Sequence, residues 1–153
     1  MGLFLSTTLN KLDKKGRVSV PSQFRSALSL ESFQGVVLFQ SYTQECIEGV
    51  GMSALENLSQ RVDSHFDFFS DTHDNMATIL FGESISCGFD GDGRITVPQA
   101  FIDFMKIDDK IAFVGMGQKF QLWKPETFER RKQQARKALK TQKITLPKSG
   151  QHE

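Results

Sequence analysis

The side chains best suited to chemistry in this sequence are basic and lie in one short segment near its start. Lys14, Lys15 and Arg17 lie within four residues after Asp13, and Arg25 follows eight residues later. Lys and Arg at this spacing can neutralise phosphates, and the planar guanidinium of Arg can also contact guanine edges. The segment is therefore a candidate site for contacts with a polyanion, although such charges are also common on solvated surfaces.

The same segment occurs twice. Residues 89–102 repeat residues 12–25 without a gap, 77 positions further along the chain. The aligned pairs are Asp13 and Asp90, Gly16 and Gly93, Arg17 and Arg94, Pro21 and Pro98, and Phe24 and Phe101. A duplicated segment indicates a duplicated fold unit.

Each copy predicts a strand, a tight turn, a second strand and a short helix. Asp-x-x-Gly is typical of a turn, because Asp accepts hydrogen bonds from backbone amides and Gly adopts a positive φ. In the following strand Val18 and Val20 share one face, so we expect them in the core and Arg17 on the opposite, exposed face. Proline then ends the strand and begins the helix.

This duplicated Asp-x-x-x-Arg segment, followed by an alternating strand and Pro, resembles the MraZ family of bacterial transcriptional regulators. The resemblance extends from the N-terminus to about Leu139. The family usually carries a second Arg after the proline in both copies, and Arg25 keeps it while Ile102 does not. Further matching pieces are the Leu-rich strand before Asp13, Gly82 and Cys87 before the second copy, and residues 120–123.

The resemblance implies a fold and its partners. It implies a mostly β protein with flanking helices (α+β), in which two tandem SpoVT/AbrB-like swapped-hairpin units form a pseudo-dimeric double-split β-barrel. It also implies ring-shaped homo-oligomers that bind short direct repeats of double-stranded DNA. The repeats would lie in the promoter of the division and cell-wall gene cluster, which includes the protein's own gene. Association with the nucleoid follows, and no cofactor is required.

Changes in composition and periodicity divide the chain into five parts. The basic C-terminal helix has a thin apolar stripe, and we expect it to pack against a neighbouring subunit, with a supplementary contact to DNA or another partner as the alternative. The parts are a first unit (residues 1–51), a helical connector (52–82), a second unit (83–124), the basic C-terminal helix (125–140) and a disordered tail (141–153).

The connector holds the residues that most suggest metal chemistry. Two His and three Asp lie within residues 65–74, and imidazole with carboxylate is a plausible ligand set. No His-x-x-x-His pair is present, and Asp beside a helix usually caps it, so we expect no metal. Ser53 and Glu56 predict a capping box for the first connector helix. A second helix is predicted from about Thr72 to Phe81.

The formal net charge of +1 conceals a segregation of charge along the chain. Residues 1–30 hold five Lys or Arg against one acid, residues 31–123 five against fourteen, and residues 124–153 nine against three. The basic ends can attract a polyanion although the total is near zero. Charged runs are also common on solvated surfaces, so this pattern alone favours nucleic acid only weakly.

Several classes of protein lack support in the sequence. No apolar run approaches the roughly 18 residues that span a bilayer, and no signal peptide is evident, so we expect a soluble cytoplasmic protein without a membrane partner. Cys46 and Cys87 predict buried thiols in a reducing compartment. Residues 90–93 resemble a calcium loop, but Arg94 stands where a ligand is needed. No catalytic or nucleotide-binding motif is present, so we expect no enzyme activity.

The charged residues of the repeat allow two interpretations. Asp13 with Arg17 could form an ion pair that braces its turn, as could Asp90 with Arg94. For both carboxylates we favour this structural role, because phosphate repels them and Asp suits a turn. For Arg17 we favour a contact with DNA.

We expect the first copy to supply most of the DNA affinity. Lys14 and Lys15 lie at the turn tip beside Arg17, although both could simply be solvated. Arg25 is one short helix away, which predicts a compact cationic patch. The second copy offers one Arg beside an acid, Asp92, that opposes phosphate.

The main alternative is an oligomeric structural or protein-interaction module on the same scaffold, which would not bind DNA. Salt distinguishes the two functions. Contacts with several phosphates weaken steeply as ionic strength rises, whereas an apolar protein interface hardly changes.

Overall fold

The computed structural model describes residues 2–147 as a mixed α+β protein. Its strands are β1 (Thr7–Lys11), β2 (Arg17–Ser19), β3 (Gly35–Gln40), β4 (Ile47–Val50), β5 (Ile85–Gly88), β6 (Arg94–Thr96), β7 (Lys110–Gly115) and β8 (Phe120–Trp123). Its helices are α1 (Ser22–Ala27), α2 (Met52–His65), α3 (Asp71–Ala77), α4 (Gln99–Met105) and α5 (Pro125–Gln142), and a π-helical segment (Thr78–Gly82) follows α3 directly.

The strands pair mainly between the two repeats, in which β1–β4 correspond to β5–β8. β1 pairs with β7, β3 with β5, β4 with β8 and β2 with β6, all antiparallel. Within a repeat, β3 pairs with β4 and β7 with β8. The large sheet has the order β1-β7-β8-β4-β3-β5, and exchanging every strand for its counterpart gives the same order reversed. The two repeats are therefore interleaved with pseudo-twofold symmetry.

The predicted double-split barrel is not confirmed. Between residues 2 and 147 the strands form one open six-stranded sheet, with β1 and β5 at its edges, and a separate two-stranded ribbon of β2 and β6. The predicted α+β class, with helices flanking the strands, is confirmed.

One face of the six-stranded sheet packs against the ribbon and helices α1 and α4. Alternate residues of each strand point to this face, as the period of two requires. Four aromatic rings contact one another here with centroids between 5.0 and 6.4 Å apart, and they belong to Phe4, Phe24, Phe113 and Phe120. Burying each such side chain contributes roughly 1.5–3 kcal/mol, so this cluster fixes α1 and the N-terminal segment against β7 and β8 of the sheet.

The opposite face of the sheet is covered by helices at two counterpart positions. α2 follows β4 and packs with α3 over Val37 and Phe39 of β3. α5 follows β8 and rests through Phe128 on Trp123, with ring centroids 5.9 Å apart. No residue of α5 is buried, whereas α2 buries Val62. The two counterpart helices are therefore packed to very different extents.

The capping box predicted at Ser53 is wrong. α2 begins at Met52 after Gly51, and no side chain caps it from that position. The backbone N–H of Ser53 instead donates to Glu31 Oε1 at 2.9 Å. A carboxylate from the loop before β3 thus satisfies a free donor of the first helical turn, which a local sequence pattern cannot predict.

The second connector helix begins slightly earlier than predicted and changes its winding. Ser70 Oγ caps α3 by accepting from the His73 N–H at 3.1 Å. From Thr78 the expected α-helix becomes a π-helical segment, which ends at the predicted Gly82.

The C-terminal helix α5 extends two residues beyond the predicted position 140. Residues 143–147 form neither helix nor strand, and residues 148–153 of the expected tail lie outside the described residues. Neither α5 nor any other helix between residues 2 and 147 has the length and apolarity to cross a membrane.

Cys46 and Cys87 are buried and unpaired, as predicted. Burial raises the pKa of Cys46 to about 12 and the pKa of Cys87 to about 11. Both thiols are therefore protonated at neutral pH and act as small core side chains.

Candidate nucleic-acid interface

The β2–β6 ribbon presents one face to the core and the other to solvent. Val18 pairs with Ile95 at its centre, and both are buried. Residues on either side of this pair point the opposite way, because successive side chains of a strand alternate. The outward face carries Arg17, Ser19, Arg94 and Thr96. Arg17 and Arg94 therefore lie at opposite ends of one exposed surface.

The first turn, residues 13–17, is closed by Asp13. Its Oδ1 accepts hydrogen bonds from the backbone N–H groups of Lys15 and Arg17, both at 2.9 Å, and its Oδ2 accepts from Arg17 Nε at 2.7 Å. The Gly16 N–H donates to the Asp13 carbonyl at 3.1 Å, and Gly16 has a φ of 81°. Asp and Gly therefore perform the two tasks that an Asp-x-x-Gly turn requires.

The second turn, residues 90–94, repeats this geometry. Asp90 Oδ1 accepts from the N–H groups of Asp92 and Arg94, and Oδ2 accepts from Arg94 Nε, all at 2.9 Å. Gly93 has a φ of 74°. One contact has no counterpart in the first turn, because Arg94 Nη2 also donates to Asp92 Oδ2 at 3.3 Å.

These hydrogen bonds lower the pKa of Asp13 and of Asp90 below the usual range. The largest cause in each is the backbone N–H of the Arg four residues further on. Hydrogen bonds to the ionised carboxylate favour that form, so both acids are charged at neutral pH. Each carboxylate is engaged within its own turn.

Arg17 uses only its Nε within the first turn. Neither of its terminal nitrogens donates to another residue in the described part of the chain, and the side chain is 35% exposed. Two parallel N–H donors match the geometry of a phosphate or a guanine edge. Arg94 is slightly less exposed, and Asp92 engages one of its terminal nitrogens.

Arg25 lies over the second turn and not beside the first. A Cβ added to Gly93 would be 2.8 Å from Arg25 Cζ, and Arg25 Nε donates to the Val20 carbonyl at 3.2 Å. The counterpart of Arg25, Ile102, lies beside Gly16. The predicted grouping of Arg25 with the basic residues of the first turn is therefore wrong. The reason is that α1 continues from the end of β2. In the antiparallel β2–β6 pair, that end lies beside the start of β6 and so next to the second turn.

The two ends of the ribbon consequently differ in charge. At the first end there are three basic residues and one acidic residue, namely Lys14, Lys15, Arg17 and Asp13. At the second end there are two basic and two acidic residues, namely Arg25, Arg94, Asp90 and Asp92. Lys14 and Lys15 are exposed, and no ion pair joins them to another residue between positions 2 and 147. The first end has a positive excess, whereas the charges of the second end balance.

The structure adds hydroxyl groups that the sequence reasoning missed. Ser22, Ser26 and Ser29 line a concave surface beside Arg25 and the second turn. Hydroxyl groups next to a guanidinium can donate to phosphate oxygens. The sequence signal was the pair Ser22 and Ser26, which are one helical turn apart on either side of Arg25.

One of the connector residues considered for metal binding, His73, contacts a carboxylate of α2. His73 Nε2 and Asp63 Oδ1 are 2.8 Å apart and join α3 to α2. In the described part of the chain, no three His, Cys, Asp or Glu side chains are grouped so that they could hold a metal ion.

The chain matches known proteins over almost its whole length. The family model described as the MraZ protein matches residues 3–75 and 80–146. A Rickettsia akari (strain Hartford) protein named transcriptional regulator MraZ is 40% identical over 146 residues, which cover 95% of this chain and 97% of the relative. Proteins of the same name from Rickettsia bellii (strain OSU 85-389) and Rickettsia felis (strain ATCC VR-1525 / URRWXCal2) are 39% and 38% identical, with the same coverage. Because these matches include both repeats and the connector, the chain belongs to the MraZ family.

Proposed function

We propose that this protein is a sequence-specific DNA-binding transcriptional regulator that contacts DNA through the outward face of the β2–β6 ribbon. The observation that carries the proposal is that the two terminal nitrogens of Arg17 donate to no residue between positions 2 and 147 and lie on a ribbon whose other face is buried in the core. A two-stranded ribbon fits the major groove, where Arg is the commonest partner of guanine. The names of the relatives, transcriptional regulators, support this function.

Other residues at the ends of the ribbon have supporting roles. Lys14 and Lys15 contact phosphates beside the first turn, since both are exposed and close to Arg17. Arg25 and the neighbouring serine hydroxyls contact the phosphate backbone of DNA beside the second turn, where Arg94 also faces DNA. The two Asp and two Gly residues of the turns hold the ribbon in shape.

The swapped-hairpin pseudo-dimer is part of this proposal. Pairing between repeats makes residues 1–51 and 83–124 act as one DNA-binding body, with the connector and the basic C-terminal helix outside it. The double-split β-barrel that the resemblance implies belongs to the same hypothesis, whereas the described strands form one open sheet and a ribbon.

One ribbon offers few base contacts, and each good bidentate contact contributes only about 1–3 kcal/mol of discrimination. We therefore include self-assembly into a ring-shaped homo-oligomer, in which several ribbons bind short direct repeats at once. Linked sites raise the effective concentration of each contact without any new interaction. The target is the promoter of the division and cell-wall gene cluster, including the protein's own gene, and the protein acts in the cytoplasm on the nucleoid.

Fluorescence anisotropy with the DNA immediately upstream of the protein's own gene tests the function. We expect tight binding to this duplex, weaker binding to a scrambled duplex of the same composition, and a steep loss of affinity between two salt concentrations. The slope is about −0.9 per phosphate contacted. A double variant, Arg17→Ala with Arg94→Ala, removes both guanidinium groups from the ribbon face and should abolish the preference.

Two results would reject the proposal. One is that the wild type binds the two duplexes equally, and the other is that the double variant keeps the wild-type affinity and preference for the upstream duplex. Either would favour the protein-interaction module, whose association with a protein partner hardly responds to salt.

A further inference from the structure

The basic helix α5 is the least supported element on the outer face of the sheet. It is held through Phe128 on Trp123, and none of its residues is buried. Its counterpart α2 buries Val62 and is braced by α3. The apolar stripe of α5 continues past Phe128 to Ala135 and Leu139, and Leu139 is 59% exposed. This half of the helix has an apolar side without a partner in its own chain between residues 2 and 147.

Leu139 is flanked by positive charge. α5 contains six Lys or Arg and two Glu, and the basic residues nearest Leu139 are Arg136, Lys137 and Lys140. Ile144 and Leu146, directly after the helix, are also exposed. The end of α5 is thus an apolar strip bordered by basic side chains.

The corner between α2 and α3, residues 66–74, has the complementary character. Phe68 and Phe69 lie against each other with ring centroids 5.1 Å apart, and Phe69 is 91% exposed. The acidic residues of the corner are Asp67, Asp71 and Asp74, and residues 62–82 contain no Lys or Arg. An exposed aromatic pair among carboxylates is a surface suited to an apolar, basic partner.

The two surfaces of one chain lie on different halves of the sheet. α5 follows β8 and packs on the β7–β8 side through Trp123. The α2–α3 corner belongs to the cluster over β3 and β4. Both surfaces are exposed in the single chain, so its own α5 does not cover the corner, and the complementary charge of α5 points to a second copy of the chain as the occupant.

We infer that α5 of one copy docks on the α2–α3 corner of the next copy, with Leu139 on Phe69 and the neighbouring basic side chains facing the carboxylates. The surfaces that meet are different, so the contact is heterologous and repeats head to tail, giving a closed ring or an open filament. The inference rests on the self-association within the proposed function and is independent of DNA binding.

Sedimentation velocity of the full-length protein tests this contact with two single substitutions. Leu139→Asp and Phe69→Asp each place a charge in the interface, and both residues are exposed, so the fold should survive, which circular dichroism can verify. We expect the wild type to sediment as an oligomer and each variant as a single chain. Leu30→Asp is the matched control, because Leu30 is 96% exposed and lies outside both surfaces. This variant should keep the wild-type mass.

Mixing the two variants is the sharper measurement. Phe69→Asp protein has an intact α5, and Leu139→Asp protein has an intact corner, so an equimolar mixture should form one interface and sediment as two chains. Wild-type mass for either variant alone would overturn the inference, as would a mixture that stays monomeric. A monomeric wild type would reject the self-association itself. If Leu139→Asp keeps the wild-type mass but loses DNA affinity, α5 contacts DNA instead.

Discussion

Asp13 and Asp90 close their turns with the same three hydrogen bonds, yet the surfaces around the two turns differ. The first turn has Lys14 and Lys15 at its tip and Ile102 beside its Gly, whereas the second has Gly91 and Asp92 at its tip and an Arg over its Gly. The backbone is thus the same at both ends of the ribbon, and the exposed charge is not.

The comparison separates the residues that shape a turn from those that decide what it binds. Asp and Gly set the backbone, because one supplies the hydrogen-bond acceptor and the other the positive φ. The two residues between them point to solvent and are free to differ. A motif that recurs in a sequence therefore predicts equal geometry without predicting equal affinity.

The largest expected effect distinguishes the two arginines. Arg17→Ala should weaken binding to the upstream duplex by about tenfold or more, the value of a good base contact. Arg94→Ala should cost only a few-fold, because Asp92 already engages one of its nitrogens. Anisotropy titrations measure both, with Arg17→Lys as a control that keeps the charge and loses the paired donors. Equal losses for the two Ala variants would contradict the difference between the ends.

Substituting the two turn glycines should have similar effects on stability and different effects on binding. Gly16→Ala and Gly93→Ala each force a side chain into the left-handed region, which costs roughly 1–2 kcal/mol. In Gly93→Ala the new methyl group also displaces the Arg25 guanidinium, so DNA affinity should fall further. Urea titration gives the stability. In an Arg25→Ala background, Gly93→Ala should lower DNA affinity no more than Gly16→Ala does in the wild type, and a larger effect would argue against this role of Arg25.

The lysines of the first turn should make DNA affinity depend more steeply on salt concentration. Replacing Lys14 and Lys15 with Gln should make the slope of log affinity against log salt shallower by about 2, since each phosphate contact contributes about 0.9. Asp92→Asn, at the matched position of the second turn, should raise affinity a few-fold because it removes a repulsive charge. An unchanged slope for the Gln variant would mean that the lysines are only solvated.

The smallest expected effect is on stability in acid. The pKa values of Asp13 and Asp90 are lower in the folded protein than the ordinary value of about 3.9, so their contribution is complete above that pH and is lost as the pH falls through the folded values. Asp13→Asn and Asp90→Asn should therefore lower the urea midpoint at pH 6 and flatten its decline towards pH 3. Asp92→Asn is the control, and an identical decline in all three variants would exclude the turns as the source.

The sequence predicted the local features of the site well. The alternation in β2 and β6 places Val18 and Ile95 in the core and Arg17 outside, because strand periodicity depends only on neighbouring residues. The prediction that Cys46 and Cys87 are buried is also confirmed, and it rested on side-chain type alone, because a free Cys behaves as a small hydrophobic residue.

Features that depend on distant parts of the chain could not be predicted in this way. The position of Arg25 over Gly93 follows from pairing between repeats, and the carboxylate that serves the first turn of α2 comes from Glu31, far from Ser53 in the sequence. Local sequence patterns describe each repeat as a self-contained unit. The chain instead places the helix of one repeat on the turn of the other.

The interleaved strands also constrain how the protein can fold as it is made. Thr7 pairs with Val114 and Arg17 with Thr96. The edge strand β1 and the ribbon strand β2 therefore cannot pair until residues much later in the chain have been synthesised. Such a high contact order slows folding, because a long loop must close before these contacts form. A nascent chain that has not reached β6 has no two-stranded ribbon. The surface proposed to bind DNA therefore exists only in chains whose synthesis has passed β6.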